Sequence, residues 1–145
     1  MFRAIREAEN ASGMEVPVGC IIVCGNEIIA SCHNMKEENQ DVTAHAEILA
    51  LREAQSKLKR WRLEDCTMYV TLEPCPMCAW AIIQSRIDTL YFGSYNTGCG
   101  AFGSVIDLKR VAESSIKVYG GIEEEMCDKI LENFFEGLRN GTDKN

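Results

Sequence analysis

Thr67-Met68-Tyr69-Val70-Thr71-Leu72-Glu73-Pro74-Cys75-Pro76-Met77-Cys78 is the stretch that decides the fold. Its first six residues are β-branched, aromatic or long apolar types that suit a strand. Pro76 has its φ pre-set for the first turn of a helix, and that short helix is expected to end near Ser85. Residues 87–92, Ile87 to Phe92, then read as the next strand. Strands that alternate with helices bury one face of each against the other, which makes a layered α/β domain.

Working outward, residues 3–12 have helical composition and stop at Gly13. Residues 18–24 form a nearly continuous apolar strand, Gly25-Asn26 supplies turn chemistry, and residues 27–32 return as a second strand, an antiparallel hairpin. Thr43 is placed to cap a helix over 44–58, where Ala44, Ile48, Leu51, Ala54 and Leu58 recur at helical spacing. Residues 93–104 are glycine-rich and too long for a plain connection, so they are a candidate functional loop. A fifth strand is expected over 115–119. After Gly120-Gly121, Ile122, Met126, Ile130, Phe134 and Leu138 mark a C-terminal helix.

No repeat or linker divides the 145 residues, which therefore read as one domain, 1–145. A hydrophobic share of 46% and a charged share of 26% exclude a disordered or collagen-like chain. No apolar run approaches the ~18 residues of a membrane span, and Met1 to Arg6 leads directly into charge, so neither a membrane nor a signal peptide is expected. Eight cysteines without an export signal belong in a reducing compartment, hence an expected cytoplasmic location. A net charge of −7 argues against gripping nucleic acid over a broad face. The one basic stretch is Arg52, Lys57, Lys59, Arg60 and Arg62 around Trp61; as a charge run it reads as a solvated helix face or, less often, a phosphate contact.

Cys75-Pro76-Met77-Cys78 alone is compatible with a redox pair, half of a structural zinc site, or chance. No thioredoxin-type pattern surrounds it, and no second C-x-x-C or His pair closes a four-ligand site. His45-Ala46-Glu47 does appear, thirty residues earlier, at a predicted helix start. One His and two Cys leave the fourth position of zinc open, as in catalytic rather than structural sites. His45 and Glu47, two apart, converge only on something off the end of a helix, and Pro76 puts Cys75 and Cys78 at another helix start. Unpaired N–H groups at both ends would then offset the charge of two thiolates. Glu47, free of the metal, is the candidate proton shuttle. His45-x-Glu47 with Pro74-Cys75-x-x-Cys78 matches the signature of zinc-dependent nucleobase deaminases. Cys20, Cys24, Cys32 and Cys66 read as small core residues, with no second metal site expected, while Cys99 and Cys127 stay unassigned.

Val16-Pro17-Val18-Gly19, Thr43-Ala44-His45-Ala46-Glu47, Tyr69 to Cys75, Ser85-Arg86-Ile87 and Ala101-Phe102-Gly103-Ser104 resemble the bacterial tRNA-specific adenosine deaminases over about residues 7–138, with 139–145 as a short tail. The resemblance implies a three-layer cytidine-deaminase-like fold, a central mixed five-stranded sheet flanked by helices. It implies one zinc per chain on His45, Cys75 and Cys78, with Glu47 moving protons. It also implies a homodimer acting on the wobble adenosine of a tRNA anticodon stem-loop. Asn34 falls on the family's base-reading asparagine, the Ala46 backbone on a base contact, Val16 on a substrate-binding position and Asn96 near the substrate ribose. Where the family usually carries Asp, Asn96 keeps hydrogen-bonding capacity without a charge-assisted acceptor. Two other functions fit the residues: a deaminase of free bases, nucleosides or nucleotides, and a zinc-stabilised binding module. A free carboxylate beside the metal disfavours the second.

Overall fold

Strand β3 (Cys66–Leu72) sits at the middle of the sheet in the computed structural model, which describes residues 1–142. Its apolar residues face both layers, as a central strand's must. On one side it pairs antiparallel with β1 (Gly19–Cys24), which pairs antiparallel with β2 (Glu27–His33). On the other side it runs parallel to β4 (Thr89–Ser94), and β4 runs parallel to β5 (Lys117–Tyr119). The sheet is therefore mixed and five-stranded, ordered β2-β1-β3-β4-β5.

Alternation along the strands assigns the layers. Cys20, Ile22, Met68, Val70, Leu90 and Phe92 form one buried core with Ala50, Leu51 and Ala54 of α3 (Ala46–Leu58) and Ile82 and Ile83 of α4 (Pro76–Gln84). The opposite face carries α1 (Phe2–Glu9) and α6 (Glu124–Thr142). Gly19 is what lets α1 approach, because a Cβ there would lie 1.9 Å from the Ala4 carbonyl oxygen. Cys127 of α6 is buried over Gly93 for the same reason. On this face Tyr69, Tyr91 and Tyr119 stack across three strands, with ring centroids 5.0 and 5.3 Å apart.

The expected elements are present, with boundary corrections that have identifiable causes. The first helix ends at Glu9 rather than residue 12. Thr43 does not cap α3: its N–H and hydroxyl both donate to Asp41 Oδ1, at 2.9 and 2.8 Å, and His45 takes the N-cap position in extended conformation. The helix thus begins two residues late, which frees the His45 side chain from the helix face. The last helix starts at Glu124 and continues through Thr142, so positions 139–142 of the expected tail are helical, and 143–145 lie outside the described residues. Phe134, on the apolar repeat that marked this helix, is only half-buried beside exposed Phe135. Two four-residue helices were not expected, α2 (Lys36–Asn39) and α5 (Leu108–Val111), because one turn carries no periodicity to detect.

Gly19→Ala forces α1 off the sheet. Overpacking of this kind costs about 1–3 kcal/mol, so the melting temperature should fall by roughly 2–12 °C, measurable by calorimetry, with α1 the first segment to lose amide protection.

Candidate metal centre and substrate cavity

The carboxyl ends of β3 and β4 open onto the site, the usual place for a ligand in an open α/β sheet. His45 is the N-cap of α3 and Cys75 the N-cap of α4, both with extended backbone; Pro76 follows at the first helical position and Cys78 lies in the first turn. His45 Nδ1 stands 3.7 Å from Cys75 Sγ and 3.5 Å from Cys78 Sγ. A tetrahedral zinc with Zn–S of ~2.3 Å and Zn–N of ~2.0–2.1 Å requires N···S edges of roughly 3.6 Å. One imidazole nitrogen and two thiols at those separations fit zinc, with a fourth position left for a non-protein ligand. Two helix N-termini meet there, and their unpaired N–H groups favour negative charge on the sulfurs.

The site is electrostatically prepared. The Cys78 thiol donates to Cys75, and together with His45 this lowers the Cys75 thiol to about 4. The same shared hydrogen bond, with burial, holds Cys78 well above the usual thiol range. Cys75 in turn raises the His45 imidazole. Glu47, in the first turn of α3, is buried, and burial raises its carboxyl above the ordinary carboxylate range against the opposing pull of its own backbone N–H and of His45. A carboxyl shifted in that direction can hold a proton long enough to pass it on.

Beside these groups lies a cavity of about 190 Å³ lined by Val16, Val18, Asn34, His45, Glu47, Asn96 and neighbours that include Lys36 and Cys99. Most of the expected site residues therefore converge. Ala46 is fully buried in the core and its side chain does not line the cavity. Asn34 donates through Nδ2 to Glu15 Oε2 at 3.3 Å, and Glu15, itself 1% exposed, also accepts from the Glu38 N–H at 2.7 Å. An acceptor at that point fixes which way the amide is turned, leaving the Asn34 carbonyl oxygen and one N–H for a ligand.

Asn96 is more committed than its sequence position suggests. Its Oδ1 accepts from the Gly98 and Cys99 N–H groups at 3.2 and 3.1 Å, and its Nδ2 donates to Cys99 Sγ at 3.3 Å. One N–H remains for a hydroxyl. The loop carrying it is held by Glu73, a 1% exposed carboxylate that accepts from the N–H groups of Asn96, Phe102 and Ser104 at 3.2, 3.1 and 3.2 Å and from the Ser104 hydroxyl. Gly100 is needed where that loop crosses the carboxylate, since a Cβ would lie 2.5 Å from it.

Sequence reading missed Glu15, Glu73, Lys36 and Cys99; the Glu beside each motif was the available signal for the first two. The basic stretch is largely neutralised. Lys57 pairs with Glu53 at 3.0 Å, Arg60 with Asp65 at 2.6 Å, and Arg62 with Glu64 at 3.0 Å, while Arg62 also lies 5.0 Å over the Trp61 ring. That is the solvated helix face and turn rather than a prepared phosphate site.

Comparison with known proteins agrees with this geometry. Residues 1–94 match the cytidine and deoxycytidylate deaminase zinc-binding region. The chain is 43% identical over 142 residues to the tRNA-specific adenosine deaminase of Bacillus subtilis, covering 96% of this chain and 88% of that one. The tRNA-specific adenosine deaminase of Aquifex aeolicus is also 43% identical, over 94% of this chain and 92% of the relative. A solved structure from work on A-to-I editing by tRNA:A34 deaminases superposes with a TM-score of 0.83 at 38% identity, covering 90% of this chain and 97% of that one. A guanine deaminase from Bacillus subtilis superposes at 0.64, with 32% identity over 72% of this chain and 78% of that one.

Glu73→Gln turns an NH₂ group toward N–H donors and strands part of the loop. We expect a loss of about 2–3 kcal/mol in urea unfolding and new proteolytic cleavage confined to residues 95–106; intact resistance to protease would contradict the clamp.

Proposed function

We propose that this chain, which belongs to the tRNA-specific adenosine deaminases of the cytidine and deoxycytidylate deaminase family, converts the wobble adenosine of a tRNA anticodon stem-loop to inosine. The carrying observation is one small cavity shared by the His45–Cys75–Cys78 cluster, buried Glu47 and the oriented Asn34 amide. About 190 Å³ is below the roughly 300–1,000 Å³ of pockets that engulf drug-sized ligands. That suits a single extruded base with its ribose and backbone left outside.

In this reading His45, Cys75 and Cys78 hold one zinc, which when bound supplies a Lewis acid that brings the pKa of a water toward neutrality. Asn34 meets the purine with a donor and an acceptor. Glu47 takes a proton from the attacking water and passes it to the ring nitrogen next to the reacting carbon. It then takes the proton of the newly added hydroxyl and delivers it to the amino group, which departs as the carbonyl forms, so water is consumed and ammonia released. The Asn96 N–H left over is the contact for the ribose hydroxyl. Val16 and the Ala46 backbone complete the walls around the base. The chain acts as one deaminase domain in the cytoplasm, where tRNA is found.

A homodimer is the proposed active form. Met77 and Trp80, three residues apart on one face of α4, are 36% and 46% exposed, an apolar patch that a second copy would cover. Lys36, at the cavity wall, is the proposed contact to a flanking phosphate, a local cation in a chain of net charge −7. The competing reading, deamination of a free purine base, draws on that same negative charge and on the likeness to guanine deaminase.

Ammonia release from an anticodon stem-loop RNA, set against free guanine, adenosine and cytidine, decides between the two; activity on free bases alone ends the tRNA reading. Glu47→Ala should keep one zinc per chain and lose about 10²–10⁴ in turnover. Lys36→Ala should raise KM for the stem-loop with kcat unchanged, and flatten the log–log salt dependence of binding by about 0.7–0.9.

A further inference from the structure

Cys66 is the buried core residue expected and Cys24 packs against the same core, but the register of the sheet also brings the two together. Cys24 ends β1, Cys66 begins β3, and the two are direct antiparallel partners. Asp65, next in the chain to Cys66, is turned to both: Cys24 Sγ lies 3.4 Å from its Oδ2 and Cys66 Sγ 3.7 Å from its Oδ1. The three donor atoms fall within 4.8 Å of one another. A tetrahedral cation with metal–sulfur bonds of ~2.3 Å and metal–oxygen bonds of ~2.0–2.2 Å needs S···O edges of roughly 3.6 Å, so little movement separates this arrangement from a ligand set.

We propose that Cys24, Asp65 and Cys66 form a second cation site, for a thiophilic divalent ion such as Zn²⁺ or Cd²⁺, at the end of the sheet opposite the catalytic cavity. Six residue steps along β3 take Cys66 to Leu72, about 20 Å of extended chain, so the two sites share no ligand. Two thiols and a carboxylate select soft or borderline ions over Mg²⁺ or Ca²⁺. Cys66 is fully buried and Asp65 exposed, so the coordination sphere is closed on the protein side and open to water on the other.

Arg60 gives the carboxylate its orientation. Its guanidinium donates to Asp65 Oδ1 at 2.6 Å and to the Arg62 carbonyl at 2.8 Å, the supporting bond that ligating carboxylates commonly have. Charge also balances. Two S–H protons leave as the ion enters, and two thiolates with one carboxylate against a dication leave one negative charge, which Arg60 neutralises. The bound ion would tie the end of β1 to the start of β3 and stabilise the folded state by mass action.

The test uses the zinc-loaded enzyme with a phosphine reductant. Cd²⁺ is titrated while thiolate-to-cadmium charge-transfer absorbance is followed, and metals are counted by elemental analysis after desalting. We expect one Cd²⁺ per chain bound with the catalytic zinc retained, a rise in melting temperature, and unchanged deaminase activity. Cys24→Ser should abolish the added ion and Asp65→Asn weaken it at least tenfold, while Cys32→Ser and Cys99→Ser bind as the parent does. Both decisive positions are partly or fully exposed, so these variants test the site without disturbing buried Cys66. The proposal is overturned if Cd²⁺ only exchanges with zinc, if Cys24→Ser still takes the added ion, if Cys32→Ser or Cys99→Ser loses it, or if Cys24 and Cys66 are found joined as a disulfide under these conditions.

Discussion

Two helices must begin at one point for this site to exist. An imidazole and two thiols crowded together repel or share protons unless something offsets the charge, and the convergent N-termini of α3 and α4 do so with unpaired N–H groups. That constraint propagates outward. β3 must end where α4 starts, which leaves three residues, Glu73-Pro74-Cys75, to turn the chain. β1 must lie beside β3 so that Val16 and Val18 wall the cavity, and α1 must then sit close enough to β1 that Gly19 carries no side chain.

The second consequence is that polar groups inside the fold are spent on loops rather than on salt bridges. Glu73 and Glu15 are both almost fully buried, and each is satisfied by N–H donors with no cation among their described partners. A buried carboxylate held this way prescribes position more tightly than an ion pair of flexible side chains, because most of its donors are main-chain N–H groups. Glu15 aims one cavity-lining amide and Glu73 sets the loop that bears the other. The cavity is therefore shaped from two directions, by Glu15 from behind Asn34 and by Glu73 from its own wall.

Much of this was legible in the sequence where the signal was local. Strands over 18–24 and 67–72, the Pro76 helix and the His45, Glu47, Cys75 and Cys78 cluster follow from periodicity and short motifs, and the mixed five-stranded sheet from family likeness. What escaped were pairings across the chain. Nothing in the neighbourhood of Lys36 marks it as a cavity residue, the glycine-rich loop over 93–104 pointed to its region without singling out Cys99, and Cys24 meets Cys66 only through strand register. Thr43 shows the converse failure. It has the right chemistry to cap, but Asp41, two residues earlier, engages both its donors and hands the N-cap to His45. Asn96 likewise looked like a free ligand contact and is mostly used in holding its own loop.

The strand order carries a consequence for how the chain is made. β1 and β2 are neighbours in sequence and can pair as soon as both leave the ribosome, but the other edge of β1 waits for β3, since Cys20 pairs with Val70. At roughly 5–20 residues per second of synthesis, that edge stands open for several seconds. The edge is Gly-Cys-Ile-Ile-Val-Cys, apolar, uncharged and without proline, the kind of segment that recruits a like strand from another chain. The central position that brings the end of β3 to the catalytic cavity thus also leaves the nascent hairpin with an open, aggregation-prone edge until β3 has been made.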